Sequence, residues 1–263
     1  MRADQLLVQR GLAPSRTAAQ RLIAAGRLRA SGRPVAKPSE ALDEAAELSV
    51  TPGDDDRYVS RGGLKLAGAL AQAGVDPSGR TCLDVGQSTG GFTDCLLQAG
   101  AARVVGLDVG HGQLHPRLRD DPRVLGLEGV NARAIAPSTL GDAMPRDGFE
   151  LIVVDVSFIS LTLVLPALAG LAAAGADLVA LVKPQFEVGR QGLDGRGIVR
   201  SPALYPAVRE KVTDCALRCG WTPQGWFDSP IAGGDGNREF FLHARRAGQV
   251  PAPHEDETGK RLK

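Results

Sequence analysis

The chain has 263 residues, of which 43% are hydrophobic and 23% are charged, and its formal net charge at pH 7 is +1. This length and apolar content suffice for one or two domains with sizeable cores, and the near-zero net charge excludes a uniformly acidic or basic protein. The four scattered cysteines indicate neither a disulfide framework nor a zinc site. Because the amino terminus also has no apolar signal segment, the sequence predicts a cytoplasmic protein that binds no metal.

The first part of the chain is strongly polarised in charge. Residues 1–38 contain eight basic residues against a single acid, Asp4, whereas residues 39–56 contain seven acids and no base. So abrupt a reversal indicates the edge of a small module. Ser15 is placed to cap the second of two short helices, and glycines after it punctuate short strands. The sequence therefore predicts a small α+β domain over residues 1–58.

Arginines on two such helices suit contacts with nucleic-acid phosphates, which form the sequence-independent part of nucleic-acid binding. On charge alone, an ordinary solvated face is an equal alternative. The candidate RNA-contacting residues are Arg2, Arg16, Arg21 and Arg27.

From residue 81 onward, apolar runs alternate with helical patterns. Crossovers of this length between buried strands predict an α/β domain with a Rossmann-like, doubly wound parallel sheet, in which ligands bind at the carboxyl ends of the strands. The predicted strands cover 81–86, 103–109, 124–130, 151–156, 177–182 and 240–246. The main predicted helices cover 90–100, 161–175 and 201–220, and one more precedes the sheet around Lys65.

The segment 161–182 also permits a different interpretation. It is 22 residues long with a single charge, Asp177, which is long enough for a membrane span. A membrane-active protein is therefore an alternative of another functional class. Pro166 and two glycines interrupt the run, and Gly175 to Asp177 predicts a turn between a core helix and a buried strand. Each of these parts is too short to cross a bilayer, so the sequence favours no stable membrane span.

The first predicted strand runs into a glycine-rich stretch, DVGQSTGG, at residues 84–91. Ser88 stands where a dinucleotide-binding fingerprint has its second glycine, and no lysine follows as in a phosphate-binding P-loop. Asp108 closes the second strand, where a carboxylate can accept both hydroxyls of a ribose, although a simple turn aspartate is the alternative. S-adenosylmethionine fits this pattern better than NAD does. The candidate cofactor residues are Asp84, Gly86, Ser88, Gly90, Gly91 and Asp108.

Two lysines and two carboxylates lie at the predicted strand ends or just before the sheet. For Lys183 alone, the simplest interpretation is a lysine that reaches solvent where its strand ends. If the four side chains converge, they suit methyl transfer to a sugar hydroxyl, which is a poor nucleophile until it loses its proton. An amine can take or polarise that proton, and the carboxylates orient the amines. The four candidate catalytic residues are Lys65, Asp155, Lys183 and Glu239.

The basic module also resembles a known RNA-binding domain. Its D-x-x-L opening, its S-R-x-x-A-x-x-L-I-x-x-G core and its closing V-x-K-P-S are similar to the domain named after the fourth protein of the small ribosomal subunit. The resemblance covers about forty residues and implies binding to structured RNA, usually ribosomal RNA.

The remaining motifs resemble the TlyA family of ribosomal RNA ribose 2′-O-methyltransferases, whose members are also known as hemolysins. The similar stretches are SRGGLKL, LDVGQSTGGFTDCLL, GLDVGHGQL, VDVSFISL, LVKPQFE and NREFFLHARR. The resemblance implies an FtsJ-like catalytic domain over residues 59–247 that uses S-adenosylmethionine. It also implies catalytic roles for the four candidate residues named above and a cofactor site around Gly86, Ser88, Gly90 and Asp108.

By the same resemblance, the partner is ribosomal RNA or a ribosomal subunit, and the target is a cytidine in large-subunit RNA, in some members also in small-subunit RNA. The abrupt start of the chain favours the narrower specificity. Gln87 departs from the small residue that is commoner in the family. An RNA-binding protein with an inactive methyltransferase domain is a further alternative, against which the complete set of catalytic residues argues. The polar tail 248–263 is expected to be disordered.

Overall fold

The computed structural model separates the chain into two compact units, Met1–Arg57 and Tyr58–Lys263. The residues that the structure describes are 1–13, 15–53, 57–234 and 236–247. The tail predicted to be disordered, 248–263, lies outside the described residues.

The amino-terminal unit packs two helices against a small antiparallel sheet. Its elements are α1 (Ala3–Gln9), α2 (Arg16–Ala24), β1 (Leu28–Ala30), β2 (Arg33–Pro34) and β3 (Leu48–Val50). The strand order is β2-β1-β3. Ser15 caps α2 as predicted, because its hydroxyl accepts a hydrogen bond from the backbone N–H of Ala18 at 3.2 Å. Leu6, Leu7 and Ile23 are buried where the helices meet the sheet.

The second unit is an α/β domain built on a seven-stranded sheet. Its strands are β4 (Thr81–Val85), β5 (Arg103–Leu107), β6 (Val124–Leu127), β7 (Phe149–Val154), β8 (Ala172–Val182), β9 (Trp221–Asp228) and β10 (Phe240–Arg246). Its helices are α3 (Gly62–Ala73), α4 (Gly91–Gln98), α5 (Pro116–Arg119), α6 (Pro137–Leu140), α7 (Leu165–Leu168) and α8 (Tyr205–Arg218).

The strand order is β6-β5-β4-β7-β8-β10-β9. Strands β4 to β8 pair in parallel, whereas β10 is antiparallel to both of its neighbours. The predicted Rossmann-like sheet is therefore confirmed, with an antiparallel pair added at one edge. The sequence did not predict the edge strand β9, which begins at the fully buried Trp221.

The prediction of one helix over 161–175 is wrong. Only a single turn at Leu161–Leu163 and the short α7 are helical, and β8 already begins at Ala172. Gly175 lies inside β8 with φ +74°, and the register of β8 against β7 shifts between Phe149 and Leu151. Between its pairings at Ala172 and Asp177, β8 has more residues than β7, and these extra residues bulge out of the sheet where the sequence predicted a turn. Helical periodicity cannot be read from a run of alanines and glycines, because these residues fit either structure.

This segment also bears on the membrane alternative. Its second half is the central strand β8, whose residues from Ala176 to Val182 are buried between layers of the domain. Among the residues that the structure describes, no helix has the length and apolar character needed to cross a membrane.

The antiparallel strand β10 determines which residues meet at the carboxyl edge of the sheet. Phe240 pairs with Val182, so that Glu239, just before β10, lies beside Lys183, just after β8. The opposite edge carries a separate charged cluster around Asp177, which is 4% exposed. Asp177 lies 2.8 Å from Arg80 Nη1 and 2.9 Å from His243 Nε2, and Arg245 Nε approaches within 3.3 Å.

We expect Asp177→Asn to lower the free energy of unfolding by about 2 kcal/mol, because it leaves the buried His243 and the half-buried Arg80 without their carboxylate. Burial alone would raise the pKa of Asp177, but hydrogen bonds from His243 and Arg80 outweigh it and lower that pKa. The contribution is therefore present above about pH 4, the ordinary pKa of an aspartate, and is lost as the pH falls further.

Urea unfolding measured from neutral to acidic pH tests this expectation. The matched control is Asp228→Asn, because Asp228 is 57% exposed in its ion pair with Arg238. A surface pair of this kind contributes less than about 1 kcal/mol. Equal losses in both variants would contradict a stabilising role for the cluster around Asp177.

Candidate active site

The glycine-rich loop after β4 is a tight turn whose glycines leave no room for side chains at their positions. Gly86 has φ +90° and Gly90 has φ +92°, a conformation that favours glycine. A Cβ on Gly86 would overlap the carbonyl oxygen of Asp155, and one on Gly90 would overlap the side chain of Leu118. A Cβ on Gly91 would overlap the hydroxyl of Ser60. At these three glycines, the loop therefore lies against its neighbours through backbone alone.

Asp84 lies beneath this loop and is fully buried. Its Oδ2 accepts a hydrogen bond from the Thr93 hydroxyl at 2.7 Å, and its carboxylate also accepts one from the Thr93 backbone N–H. Asp84 thus caps the amino terminus of α4 from the neighbouring strand. Burial raises the pKa of Asp84 to about 7, against the opposing effect of the Thr93 hydroxyl. These contacts lie inside the protein, so a direct contact between Asp84 and a cofactor stays a prediction.

Asp108 follows β5 and joins two loops at the same edge of the sheet. Its Oδ2 accepts from the backbone N–H of Ser88 at 2.7 Å, and its Oδ1 accepts from that of Gly110, also at 2.7 Å. Ser88 itself has φ +48°, and its hydroxyl donates to Gln113 at 3.1 Å. Each carboxylate oxygen has lone pairs left after these bonds, so Asp108 is able to accept hydroxyl donors from a ligand as well.

The four predicted catalytic residues form two ion pairs. Lys183 Nζ lies 2.6 Å from Asp155 Oδ1 across the ends of β8 and β7. Lys65 Nζ, on α3, lies 2.6 Å from Glu239 Oε2 at the start of β10. Lys183 has only 11% of its side chain exposed and Lys65 only 10%, so neither is a lysine that simply reaches into water. The register of β10 against β8 places the two pairs side by side.

Two further polar residues belong to this edge, and the sequence interpretation missed them. Lys183 Nζ donates to the Ser157 hydroxyl at 2.7 Å. Glu187, with 1% of its side chain exposed, accepts from the Ser160 hydroxyl at 2.6 Å and pairs with Lys211 Nζ at 2.8 Å. Glu187 therefore ties the loop after β7 to the loop after β8. Both residues lie within quoted motifs, but only the fold shows that those motifs meet.

An exposed aromatic residue stands next to the ion pairs. Phe158 is 91% exposed, has φ +62°, and its ring centroid lies 5.4 Å from that of Phe186. A left-handed backbone at a bulky residue is a strained conformation that cannot be read from sequence.

Among the described residues, no group of three His, Cys, Asp or Glu side chains is arranged to hold a metal ion.

The predicted RNA-contacting arginines differ in their surroundings within the amino-terminal unit. Asp4 is fully buried and accepts from Arg2 Nε at 2.9 Å and from Arg16 Nη2 at 3.2 Å. Hydrogen bonds, first of all from Arg2, hold the pKa of Asp4 well below its usual range. Arg27 donates to the carbonyl oxygen of Thr51 at 2.7 Å, whereas Arg21 is exposed and pairs with no described residue.

The fold and the site define the second unit as an FtsJ-like methyltransferase. The sequence model of that family matches residues 58–246, and the model of the S4 domain matches residues 1–48. The chain belongs to the TlyA family. It is 47% identical to the 16S/23S rRNA (cytidine-2′-O)-methyltransferase TlyA of Mycobacterium tuberculosis over 93% of this chain and 89% of that protein.

Two other relatives carry a different name. The chain is 37% identical to Hemolysin A of Brachyspira hyodysenteriae over 92% of this chain and 99% of that protein. A solved structure from Streptococcus thermophilus, provisionally named a hemolysin, has 42% identity and a TM-score of 0.75 over 96% of this chain and 92% of that one. Similarity that spans both units shows that the two-unit organisation is shared with these relatives.

We expect Gly86→Ala to destabilise the protein more than Gly112→Ala. Both glycines have positive φ, of +90° and +65°, so that alanine costs about 1 kcal/mol of backbone strain at each. At Gly86 the new methyl group also overlaps the Asp155 carbonyl oxygen, whereas nothing lies within 4 Å at Gly112. Overlap with backbone adds about 2 kcal/mol, measurable by urea unfolding. Equal losses would contradict the close approach of this loop to Asp155.

Proposed function

We propose that this protein transfers a methyl group from S-adenosylmethionine to the ribose 2′-hydroxyl of a cytidine in ribosomal RNA. The observation that carries the proposal is the pairing of Lys183 with Asp155 and of Lys65 with Glu239 at the carboxyl edge of a methyltransferase sheet. The relative from Mycobacterium tuberculosis, named for this reaction, supports it over nearly the full length.

The residues around the glycine-rich loop suit S-adenosylmethionine. Gly86, Gly90 and Gly91 allow the tight turn of the loop against its neighbours, and Asp108 is placed to accept the ribose hydroxyls. The loop has no lysine to neutralise a phosphate chain, which disfavours a nucleoside triphosphate. When bound, the cofactor supplies an activated methyl group. The chain's own residues hold it and prepare the acceptor.

Lys183 is the residue best placed to act on the acceptor hydroxyl. Asp155 and Ser157 hold its Nζ at 2.6 and 2.7 Å, which orients the amine. An oriented amine can accept or polarise the proton of the ribose hydroxyl as the oxygen attacks. Lys65, held by Glu239, adds a second positive charge that stabilises negative charge developing on that oxygen.

The amino-terminal unit supplies the binding of ribosomal RNA. Its helix α2 carries the exposed Arg16 and Arg21, and guanidinium groups suit phosphate contacts. The expected substrate is a large-subunit cytidine, and the name of the Mycobacterium tuberculosis relative adds the small subunit as a second possible target. Because ribosomes are made in the cytoplasm, we place the reaction there.

The alternatives have less support. A membrane-active protein would need an amphipathic or apolar surface, whereas the apolar segment 161–182 is built into the core of the sheet. An inactive methyltransferase domain would not need four charged side chains held in two largely buried pairs, since buried charges are costly to keep.

Mass-spectrometric mapping of ribose methylation tests the reaction directly. Ribosomal RNA from cells that lack this protein is expected to miss a 2′-O-methylcytidine in the large subunit, which the purified protein and S-adenosylmethionine should restore. Identical methylation maps with and without the protein would contradict the proposal.

Lys183→Ala and Lys183→Arg are both expected to reduce single-turnover methyl transfer at least 100-fold, which matches the loss of one general acid or base. Alanine removes the amine, and arginine keeps the charge but stays protonated. Both should still bind S-adenosylmethionine, because Lys183 lies outside the loop. Arg209→Lys, on the exposed face of α8, serves as a control. Full activity of the arginine variant would show that Lys183 acts only as a fixed charge.

Arg21→Glu is expected to weaken binding to ribosomal RNA without unfolding the amino-terminal unit, because Arg21 has no partner among the described residues. Arg16→Glu should weaken binding and also destabilise the unit, since Arg16 pairs with the buried Asp4. Binding measured against salt concentration should lose about one unit of slope for each lost phosphate contact. Arg209→Glu on α8 is the charge-matched control. Unchanged RNA affinity of both Arg21→Glu and Arg16→Glu would contradict a role of this unit in RNA binding.

A further inference from the structure

The side chain of Gln87 turns away from the surface of the cofactor loop and into the domain. Gln87 is 6% exposed, although it lies in a loop between two glycine-rich turns. Its Nε2 donates to the Thr93 hydroxyl at 2.9 Å, and that hydroxyl donates to Asp84 Oδ2 at 2.7 Å. A buried chain of hydrogen bonds therefore runs from the loop through the first turn of α4 to the strand β4.

The sheet leaves a space for this side chain. Asp84 pairs with Gly106 on β5, and Gly106 pairs with Gly126 on β6, so that two glycines follow the aspartate along one row of the sheet. A Cβ on Gly106 would overlap the amide of Gln87, and a Cβ on Gly126 would lie 3.1 Å from Gln87 Oε1. Without these two glycines, a residue as large as glutamine has no room beneath the loop.

The backbone of Gln87 shapes the part of the loop that faces the ligand. Its N–H donates to the carbonyl oxygen of Leu107 at 3.0 Å, and its carbonyl oxygen accepts from the Gly90 N–H at 2.8 Å. The next N–H, that of Ser88, is the one that bonds to Asp108. Movement of Gln87 would therefore move both the turn at 87–90 and the hydrogen bond to Asp108.

We propose that Gln87 is a positioning residue for the cofactor loop. Its buried amide anchors the turn at 87–90 to the Thr93 and Asp84 pair, and so holds the loop and the first turn of α4 in the geometry that binds the cofactor. The inference rests on the proposed use of S-adenosylmethionine. The amide acts as a donor, so that it leaves the single hydroxyl proton of Thr93 for Asp84 Oδ2. The other oxygen, Asp84 Oδ1, has no hydrogen-bond partner among the described residues.

Two substitutions of Gln87 separate its hydrogen bond from its volume. Gln87→Met fills a similar space but donates no hydrogen bond, and we expect it to raise the dissociation constant for S-adenosylmethionine about tenfold. Gln87→Glu keeps the shape but replaces the donor with an acceptor. One hydroxyl proton cannot serve two carboxylates, so the loss should be larger, about 100-fold. Gln72→Met, on the exposed side of α3, is the matched control and should bind normally.

A single and a double variant test whether Gly106 leaves the space that the Gln87 side chain occupies. Gly106→Ala is expected to weaken cofactor binding because its methyl group displaces the Gln87 amide. Adding Gln87→Ala to Gly106→Ala removes that overlap and should recover part of the lost affinity. A double variant that binds no better than Gly106→Ala alone would overturn the proposed packing.

Calorimetry, steady-state kinetics and hydrogen exchange on the full chain decide the question. In Gln87→Met, the KM for S-adenosylmethionine should rise while kcat at saturating cofactor stays within about threefold. The reason is that residue 87 contacts neither the ribose hydroxyl that accepts the methyl group nor Lys183. In the ligand-free protein, amide hydrogens of residues 87–93 should exchange faster than in wild type. Unchanged affinity together with unchanged exchange in Gln87→Met would overturn the inference.

The exchange measurement needs no cofactor, so it separates this inference from the proposed function. If the wild-type protein failed to bind S-adenosylmethionine, the proposed function would be wrong, and faster exchange in Gln87→Met would still support the anchoring role. If Gln87→Glu failed to fold, Gln87→Met and the Gly106→Ala pair would carry the test.

Discussion

The buried ion pair between Lys65 and Glu239 joins the first helix of the catalytic unit to its last strand. The two residues are 174 positions apart, yet Lys65 Nζ lies 2.6 Å from Glu239 Oε2, and the side chains are 10% and 3% exposed. Charges this deep are tolerated only when paired. The pair therefore requires α3 and the start of β10 to meet at the carboxyl edge of the sheet. The antiparallel entry of β10 beside β8 satisfies that requirement.

The rest of the catalytic edge is arranged around this constraint. Once β10 lies beside β8, Glu239 comes next to Lys183, and Lys183 reaches Asp155 on the far side. The buried carboxylate of Glu187 then ties together the loops that follow β7 and β8. The opposite edge carries the cluster around Asp177, where charge stabilises the fold. The candidate catalytic residues and the cluster around Asp177 thus lie at opposite edges of the sheet, and ligands of an open α/β sheet bind at the carboxyl edge.

In the amino-terminal unit, two of the arginines proposed to contact RNA also bond to a buried carboxylate of the fold. Arg2 and Arg16 bond to the buried Asp4, but their side chains remain 41% and 56% exposed. Each guanidinium has five N–H donors, so an arginine that stabilises the fold through one or two of them keeps others for a phosphate. A basic surface of this kind therefore cannot be divided into structural and binding residues by charge alone.

The sequence by itself determined the strands β4 to β7, the buried part of β8, the strand β10, the glycine-rich turn after β4 and the candidate catalytic residues, because periodicity, glycine spacing and charge at strand ends are local features. It did not predict the edge strand β9. It wrongly predicted one helix over all of 161–175, where alanine and glycine fit either structure and pairing with β7 made the end of this segment a bulged strand. It also gave no sign that Gln87 is buried or that Glu187 joins two loops. Those contacts depend on Gly106 and Lys211, which only the assembled sheet brings near, because long-range packing decides where a side chain finds space and a partner.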